Sequence, residues 1–194
     1  MTLYQPFYCE ENIWQLARLR HGAAGIAQQA VVLVTNPART VACWHQRASR
    51  APDAPVVWDY HVVLVERDEN GTTVIHDLDS TVGTPLPAAA WIAATFPQCD
   101  HVRPTYRPGF RLVAATTWLR DFATDRSHMH DAAGHWFQPP PPWDPPGAPR
   151  HNLFDWLVAG ETATAPGIWM DLKAFTELVH GGPWPDADRG LTAR

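Results

Sequence analysis

Residues 56–79 read VVWDYHVVLVERDENGTTVIHDLD, and the fold turns on them. Residues 56–65 and 72–78 are rich in Val, Ile, Thr and aromatic residues, and the Asn70-Gly71 turn signal lies between them. The stretch therefore reads as an antiparallel hairpin. Asp59 and His61 interrupt a strand that is otherwise apolar, and such local inconsistencies concentrate at functional sites. A hairpin loop centred on residue 69 puts His61 directly opposite Asp77, about 5 Å away across the strands, where a carboxylate can orient an imidazole. A two-residue turn at Asn70-Gly71 shifts the register and separates the pair. His61 also has a plainer reading, as a core histidine with its hydrogen bonds satisfied.

Working outward, residues 30–35 and 41–46 read as further strands. Upstream of them, residues 10–20 read as a helix: Glu10 and Glu11 sit in its first turn, Ile13, Leu16 and Ala17 follow at helical spacing, and Gly22 stops it. Downstream, the expected order is a helix at 87–96, a strand at 110–115 and a short helix at 117–123. Residues 138–150, QPPPPWDPPGAPR, hold seven prolines in thirteen positions, so they are extended or coil. Helices are expected at 152–158 and at 171–180, the second ended by Gly181-Gly182. The segment beyond the Pro-rich stretch is too short for a core of its own. The expectation is one α+β domain over residues 1–185, with a frayed tail at 186–194.

Composition narrows the function. The chain has 194 residues, 45% apolar and 18% charged, with ten tryptophans and a net charge of −5. That composition supports a full core and excludes wholesale disorder. The acidic balance gives no reason to expect a nucleic-acid partner or an anionic membrane surface, and no apolar run approaches the ~18 residues of a membrane span. No basic segment leads into an apolar one near the N-terminus, and Cys9, Cys43 and Cys99 form neither a disulfide framework nor a zinc pattern. A cytoplasmic setting is expected, with each thiol either a core residue or a nucleophile.

Cys9 stands at the start of the first expected helix, where unpaired N–H groups stabilise a thiolate and can hold an oxyanion. Glu10 and Glu11 oppose ionisation, so a histidine partner is needed. The alternative is a small core side chain. Cys9, His61 and Asp77 together give nucleophile, base and orienting acid in the order of papain-like and transglutaminase-like thiol enzymes. His128, His130 and His135 form an H-x-H-x4-H run without the Cys or Glu spacing of a metal site, and no metal is expected. The prolines at 139–142 suit a polyproline ligand or, more often, a rigid connector packed through Trp136 and Trp143. No phosphate loop, G-x-G-x-x-G or G-x-S-x-G is present, so no cofactor is expected.

The motifs YCEENIW (8–14), VVWDYHVVL (56–64), DLD (77–79), FATDRSHM (122–129), GHWFQPPPP (134–142) and the closing L-x-x-F (172–175) occur in this order across nearly the whole chain. In them the sequence resembles the protein N-terminal glutamine amidohydrolases. The resemblance implies a papain- and transglutaminase-related α+β fold, a helix carrying the nucleophile packed on an antiparallel sheet, and a triad of Cys9, His61 and Asp77. It implies conversion of an N-terminal Gln to Glu with release of ammonia, which in eukaryotes feeds the N-degron pathway. The implied partner is a protein or peptide with a free N-terminal Gln, acted on by a monomer. Selectivity for a chain terminus needs a group that reads the α-amine, and Glu10, Asp59 and Asp125 are candidates, with Trp58 and Tyr60 as pocket walls. Two other functions fit parts of the sequence: a thiol peptidase, transglutaminase or deamidase acting on internal residues, or a non-catalytic module using the Pro-rich stretch.

Overall fold

The computed structural model describes residues 4–97, 99–147, 151–159 and 164–184. Its centre is the strand β1 (Ile26–Thr35), whose last six residues are all buried. Helix α1 (Cys9–Arg20) precedes it, and β2 (Val41–Cys43), β3 (Val56–Trp58), β4 (His61–Asp68) and β5 (Thr73–His76) follow. Next come β6 (Leu86–Pro87), α2 (Ala88–Thr95), β7 (Gly109–Ala114), α3 (Ala115–Asp121) and β8 (Phe122–Ala123). The chain continues through β9 (His151–Asn152), α4 (Leu153–Trp156), β10 (Ile168–Asp171) and α5 (Leu172–Val179). Six strands form one sheet in the order β10-β7-β1-β4-β5-β6, antiparallel throughout. This is an α+β arrangement.

Strand alternation splits the core into two layers. Val32, Val34, Val63, Val65 and Ile75 pack with Trp91 of α2 and with Phe175 and Leu178 of α5. Val31, Leu33, Val62 and Leu64 pack on the other face with Ile13 and Ala17 of α1, Trp118 of α3 and Trp156 of α4. Helices thus cover both faces, which is why β1 and β4 are apolar runs rather than alternating ones. Each fully buried Val, Leu or Ile contributes roughly 1.5–3 kcal/mol.

Several expectations are corrected at their boundaries. The run 56–65 is two strands in different sheets: β3 pairs with β2, and β4 enters the central sheet beside β1. The break falls at Asp59, whose carboxylate accepts the Tyr60 N–H at 3.0 Å while its carbonyl accepts the Thr35 hydroxyl at 2.8 Å. The hairpin register matches neither anticipated turn. Its loop is Glu69-Asn70-Gly71, with Gly71 in the left-handed region (φ 85) and the Asp68 carboxylate accepting from the Asn70 and Thr72 N–H groups. This three-residue turn with a bulge glycine places Leu64 opposite His76, so the ladder does not set His61 opposite Asp77. The short helix at 117–123 begins earlier, at Ala115, and ends in β8. Residues 41–46 pair only to Cys43, with Gln46 bridging to Ser80. The expected tail at 186–194 lies outside the described residues, as does the end of the Pro-rich stretch.

Candidate active site

Cys9 is the first residue of α1, and the segment before it is clamped to the helix. Asn12 accepts the Gln5 N–H at 2.9 Å and donates to the Gln5 carbonyl at 2.8 Å, while Phe7 takes a left-handed φ of 68. The clamp turns the chain into the helix at the cysteine. Cys9 keeps 9% of its surface exposed, and that surface lines a cavity of about 310 Å³.

His61 is the first residue of β4, paired with Val34, and lines the same cavity. Its Nε2 lies 2.9 Å from Asp77 Oδ1. Asp77 sits one residue past β5, where the chain turns and Ser80 N–H bonds back to its carbonyl. The contact that the strand register does not make is therefore made by the turn. Asp77 also accepts from the Asp79 N–H at 3.0 Å, Trp91 Nε1 at 2.9 Å and Gln46 Nε2 at 3.1 Å. Burial alone would push this carboxyl upward. The His61 charge and these donors outweigh it, and Asp77 titrates below its ordinary range. An ionised carboxylate only accepts, so His61 Nε2 carries the hydrogen and Nδ1 is left as the base. Burial likewise lowers the imidazole, but Asp77 more than restores it, and His61 ends above its usual value.

The thiol is pushed well above its ordinary value, first by burial and then by the Glu10 and Asp79 charges, with a Val62 backbone hydrogen bond pulling the other way. Burial and the neighbouring carboxylates thus oppose thiolate formation, and Cys9 shares its cavity with His61, whose free ring nitrogen can serve as its base. Glu10 is buried in the same corner. Its Oε2 accepts from the Tyr60 hydroxyl at 3.0 Å and from the Cys9 thiol at 3.7 Å, and burial raises its carboxyl to about 7. It does not line the cavity.

Of the other residues anticipated from sequence, Trp58, Asp59 and Tyr60 line the cavity. Asp125 does not; it is exposed and accepts the Ser127 N–H at 2.9 Å. Sequence reading left Phe7, Asp79, His128 and Phe137 out of the site, yet all four line it. The signal for two of them was present, in the second Asp of DLD and the His of DRSHM. His128 Nε2 stands 3.4 Å from the Tyr60 hydroxyl and 3.8 Å from Glu10, with burial holding its imidazole below the usual value. The other two histidines of that run go elsewhere, His130 against Trp136 and His135 onto Asp131.

The Pro-rich segment straps the start of α1. Tyr8 donates to the Gln138 carbonyl at 3.1 Å and Gln5 to the Pro139 carbonyl at 2.9 Å. Arg126 makes a bidentate pair with the buried Glu11 at 2.7 and 2.8 Å and donates to the Trp143 carbonyl, while Trp143 Nε1 donates to Glu11 at 2.9 Å. The connector geometry is what these contacts describe. His61, Asp77 and Asp79 also bring possible ligand atoms within 4.8 Å of one another.

A family model described as N-terminal glutamine amidase matches residues 4–179. The chain is similar to the protein N-terminal glutamine amidohydrolase of Bos taurus, at 36% identity over 183 residues, covering 92% of this chain and 86% of that protein. Identity to the Homo sapiens protein of the same name is also 36% over 183 residues, with the same coverage. To the Drosophila mojavensis one it is 32% over 184 residues, covering 93% and 89%.

Proposed function

The chain belongs to the N-terminal glutamine amidase family, and on that premise we propose that it hydrolyses the side-chain amide of an N-terminal Gln in proteins or peptides, giving Glu and ammonia, through a thioester on Cys9. The observation that carries this reading is the shared cavity: Cys9 and His61 line it together, with His61 locked by Asp77 at 2.9 Å. His61 Nδ1 takes the thiol proton as Sγ attacks the Gln carboxamide carbon. The Cys9 N–H, at the first position of α1, has no intrahelical partner and stabilises the oxyanion. The carbon–nitrogen bond then breaks, His61 returns its proton to the leaving nitrogen, and ammonia departs. Water, deprotonated by His61, attacks the thioester carbon; the carbon–sulfur bond breaks, the thiol recovers its proton, and Glu is released.

A nucleophile on a helix start set against an antiparallel sheet supports a papain- and transglutaminase-like thiol hydrolase. Every group that the mechanism uses comes from one chain, which supports a single amidohydrolase unit working as a monomer. The three free thiols suit the reducing cytoplasm, and among the described residues no helix is long and apolar enough to cross a membrane. Rejection of Asn rests on one methylene, worth roughly 1–3 kcal/mol, plus the placement of the thiol relative to the carboxamide.

The test is ammonia release from a short peptide beginning with Gln, beside its N-acetylated twin and a Cys9→Ala variant. Release from the free peptide alone, abolished in the variant, is the expected result. Equal release from the acetylated peptide would make the protein a deamidase of internal Gln, and no release from either would overturn the reading.

A further inference from the structure

The amidohydrolase reading leaves one requirement unmet, because nothing in the triad distinguishes a terminal Gln from an internal one. What differs is the α-amine, a cation or nearly so at neutral pH. An extended Gln spans about 5 Å from its α-nitrogen to its carboxamide carbon, four bonds of ~1.5 Å. The group that reads the amine must therefore stand close to Cys9 and His61, face the same cavity and carry negative charge.

Among the described residues, two acidic side chains line the cavity, Asp59 and Asp79. Asp59 is exposed and has turned an oxygen onto the Tyr60 N–H. Asp79 is 4% exposed, and its position is fixed from two sides: the Tyr4 hydroxyl donates to Oδ1 at 2.6 Å, and its own N–H donates to Asp77. One of its carboxylate oxygens lies within 4.8 Å of a His61 ring nitrogen. Its Oδ2 meets no donor among the described residues. The Arg47 cation acts on this carboxylate through space without bonding it, which leaves Oδ2 open to a donor arriving from the cavity. Trp58, whose ring stacks on that of His61 at 6.1 Å, offers a π face beside the same position.

The geometry points to Asp79 as the receptor of the substrate α-ammonium, a specificity-determining residue of this site; the inference rests on the amidohydrolase reading. The ammonium donates to Oδ2 while Tyr4 holds the other oxygen, and the carboxamide is presented to the thiol within the same cavity. An acetylated terminus brings a neutral amide and extra bulk to a buried carboxylate, and is rejected for both reasons.

The experiment measures kcat/KM for a Gln-leading peptide and for its des-amino twin, in which hydrogen replaces the α-amine. Wild type, Asp79→Asn and Asp59→Asn are compared. Wild type should prefer the free amine strongly. Asp79→Asn should lose roughly 10- to 100-fold on the free-amine peptide and change less than about 3-fold on the twin. Asp59→Asn should keep the preference. A parallel fall on both peptides would make Asp79 a positioning residue acting through His61, and a preference that survives in Asp79→Asn would equally overturn the assignment. If Asp79→Asn does not fold, Tyr4→Phe decides by the same ratio, with an expected narrowing of about 3- to 10-fold and an unchanged ratio counting against it. Absence of ammonia release from wild type on either peptide would instead sink the amidohydrolase reading itself, and this one with it.

Discussion

His61 gets its chemistry from what surrounds Asp77. A carboxylate buried beneath Trp91 and Gln46 would ordinarily take up a proton, and three donors besides His61 keep it ionised. That charge raises the imidazole, while burial and Glu10 raise the thiol. Because His61 acts as the base, activity requires it unprotonated, so kcat/KM should rise with pH as the raised His61 value is passed. In Asp77→Asn the imidazolium loses its counter-charge and the His61 pKa falls. The acid limb should therefore move to lower pH while the plateau drops by up to about 10⁴-fold, the scale of the same change in a Ser–His–Asp triad. A full pH–rate profile of both proteins checks this, and an acid limb that stays in place would mean that another group controls it. The same scale explains why Glu10 is not the amine receptor: it sits next to the nucleophile in sequence, but its place on α1 directs it inward onto Tyr60.

Among the elements, α1 is the one whose start must not move, because Cys9 is its first residue. Its first turn has no side-chain cap, and besides the local Gln5–Asn12 clamp what fixes it comes from far along the chain. Arg126, itself held in a left-handed conformation, pairs with Glu11 and carries Trp143 and the Pro-rich segment with it. The strap is held along its length, through the Gln138, Pro139 and Trp143 carbonyls and through the Pro146 carbonyl, which accepts the Thr124 N–H. Arg126→Met should leave Glu11 buried and unpaired at a cost of about 3–5 kcal/mol, whereas Glu11→Gln combined with Arg126→Met should cost markedly less than the single change. Denaturant unfolding of wild type, both single variants and the double gives the comparison, and additive losses would show that the pair does not interact. The Arg126→Met variant should also expose residues 138–147 to limited proteolysis.

For the whole molecule, Glu66 of β4 does what Glu11 does for one helix. It accepts a bidentate pair from Arg20 at the end of α1, a bond from Gln29 of β1 and one from His76 of β5. Burial pushes its carboxyl up, but these donors outweigh that and hold it down at about 2. A carboxyl depressed on folding contributes stability that is complete above its unfolded value of about 4.3 and lost as pH falls towards 2. Glu66→Gln should therefore cost about 2 kcal/mol at pH 7, discounted for the solvent around Arg20, or about 4–8 °C in Tm. The gap to wild type should close as the pH is lowered from about 4.5 towards 2, and a gap independent of pH would mean that packing, not charge, is what the variant lost. The amino-acid sequence by itself determined the parts whose signals are local. Turn residues, β-branched runs and helix-start chemistry placed α1, β1, β5, β7, α2 and α5 to within a few residues, and an aspartate and a histidine stranded among apolar neighbours marked Asp59 and His61, whereas Asp77 was reached through a register that the ladder does not have. It did not determine which carboxylates face the cavity. Glu10, Asp59, Asp79 and Asp125 all lie in motifs beside the site, and they differ by direction: Glu10 turns inward onto Tyr60, Asp59 and Asp79 line the cavity, and Asp125 bonds the Ser127 N–H outside it. A one-residue difference in the hairpin loop changed the register and handed the Asp77 contact to a turn. Direction and register are set by how distant segments pack, and no window of sequence contains that information; the tertiary structure decided them.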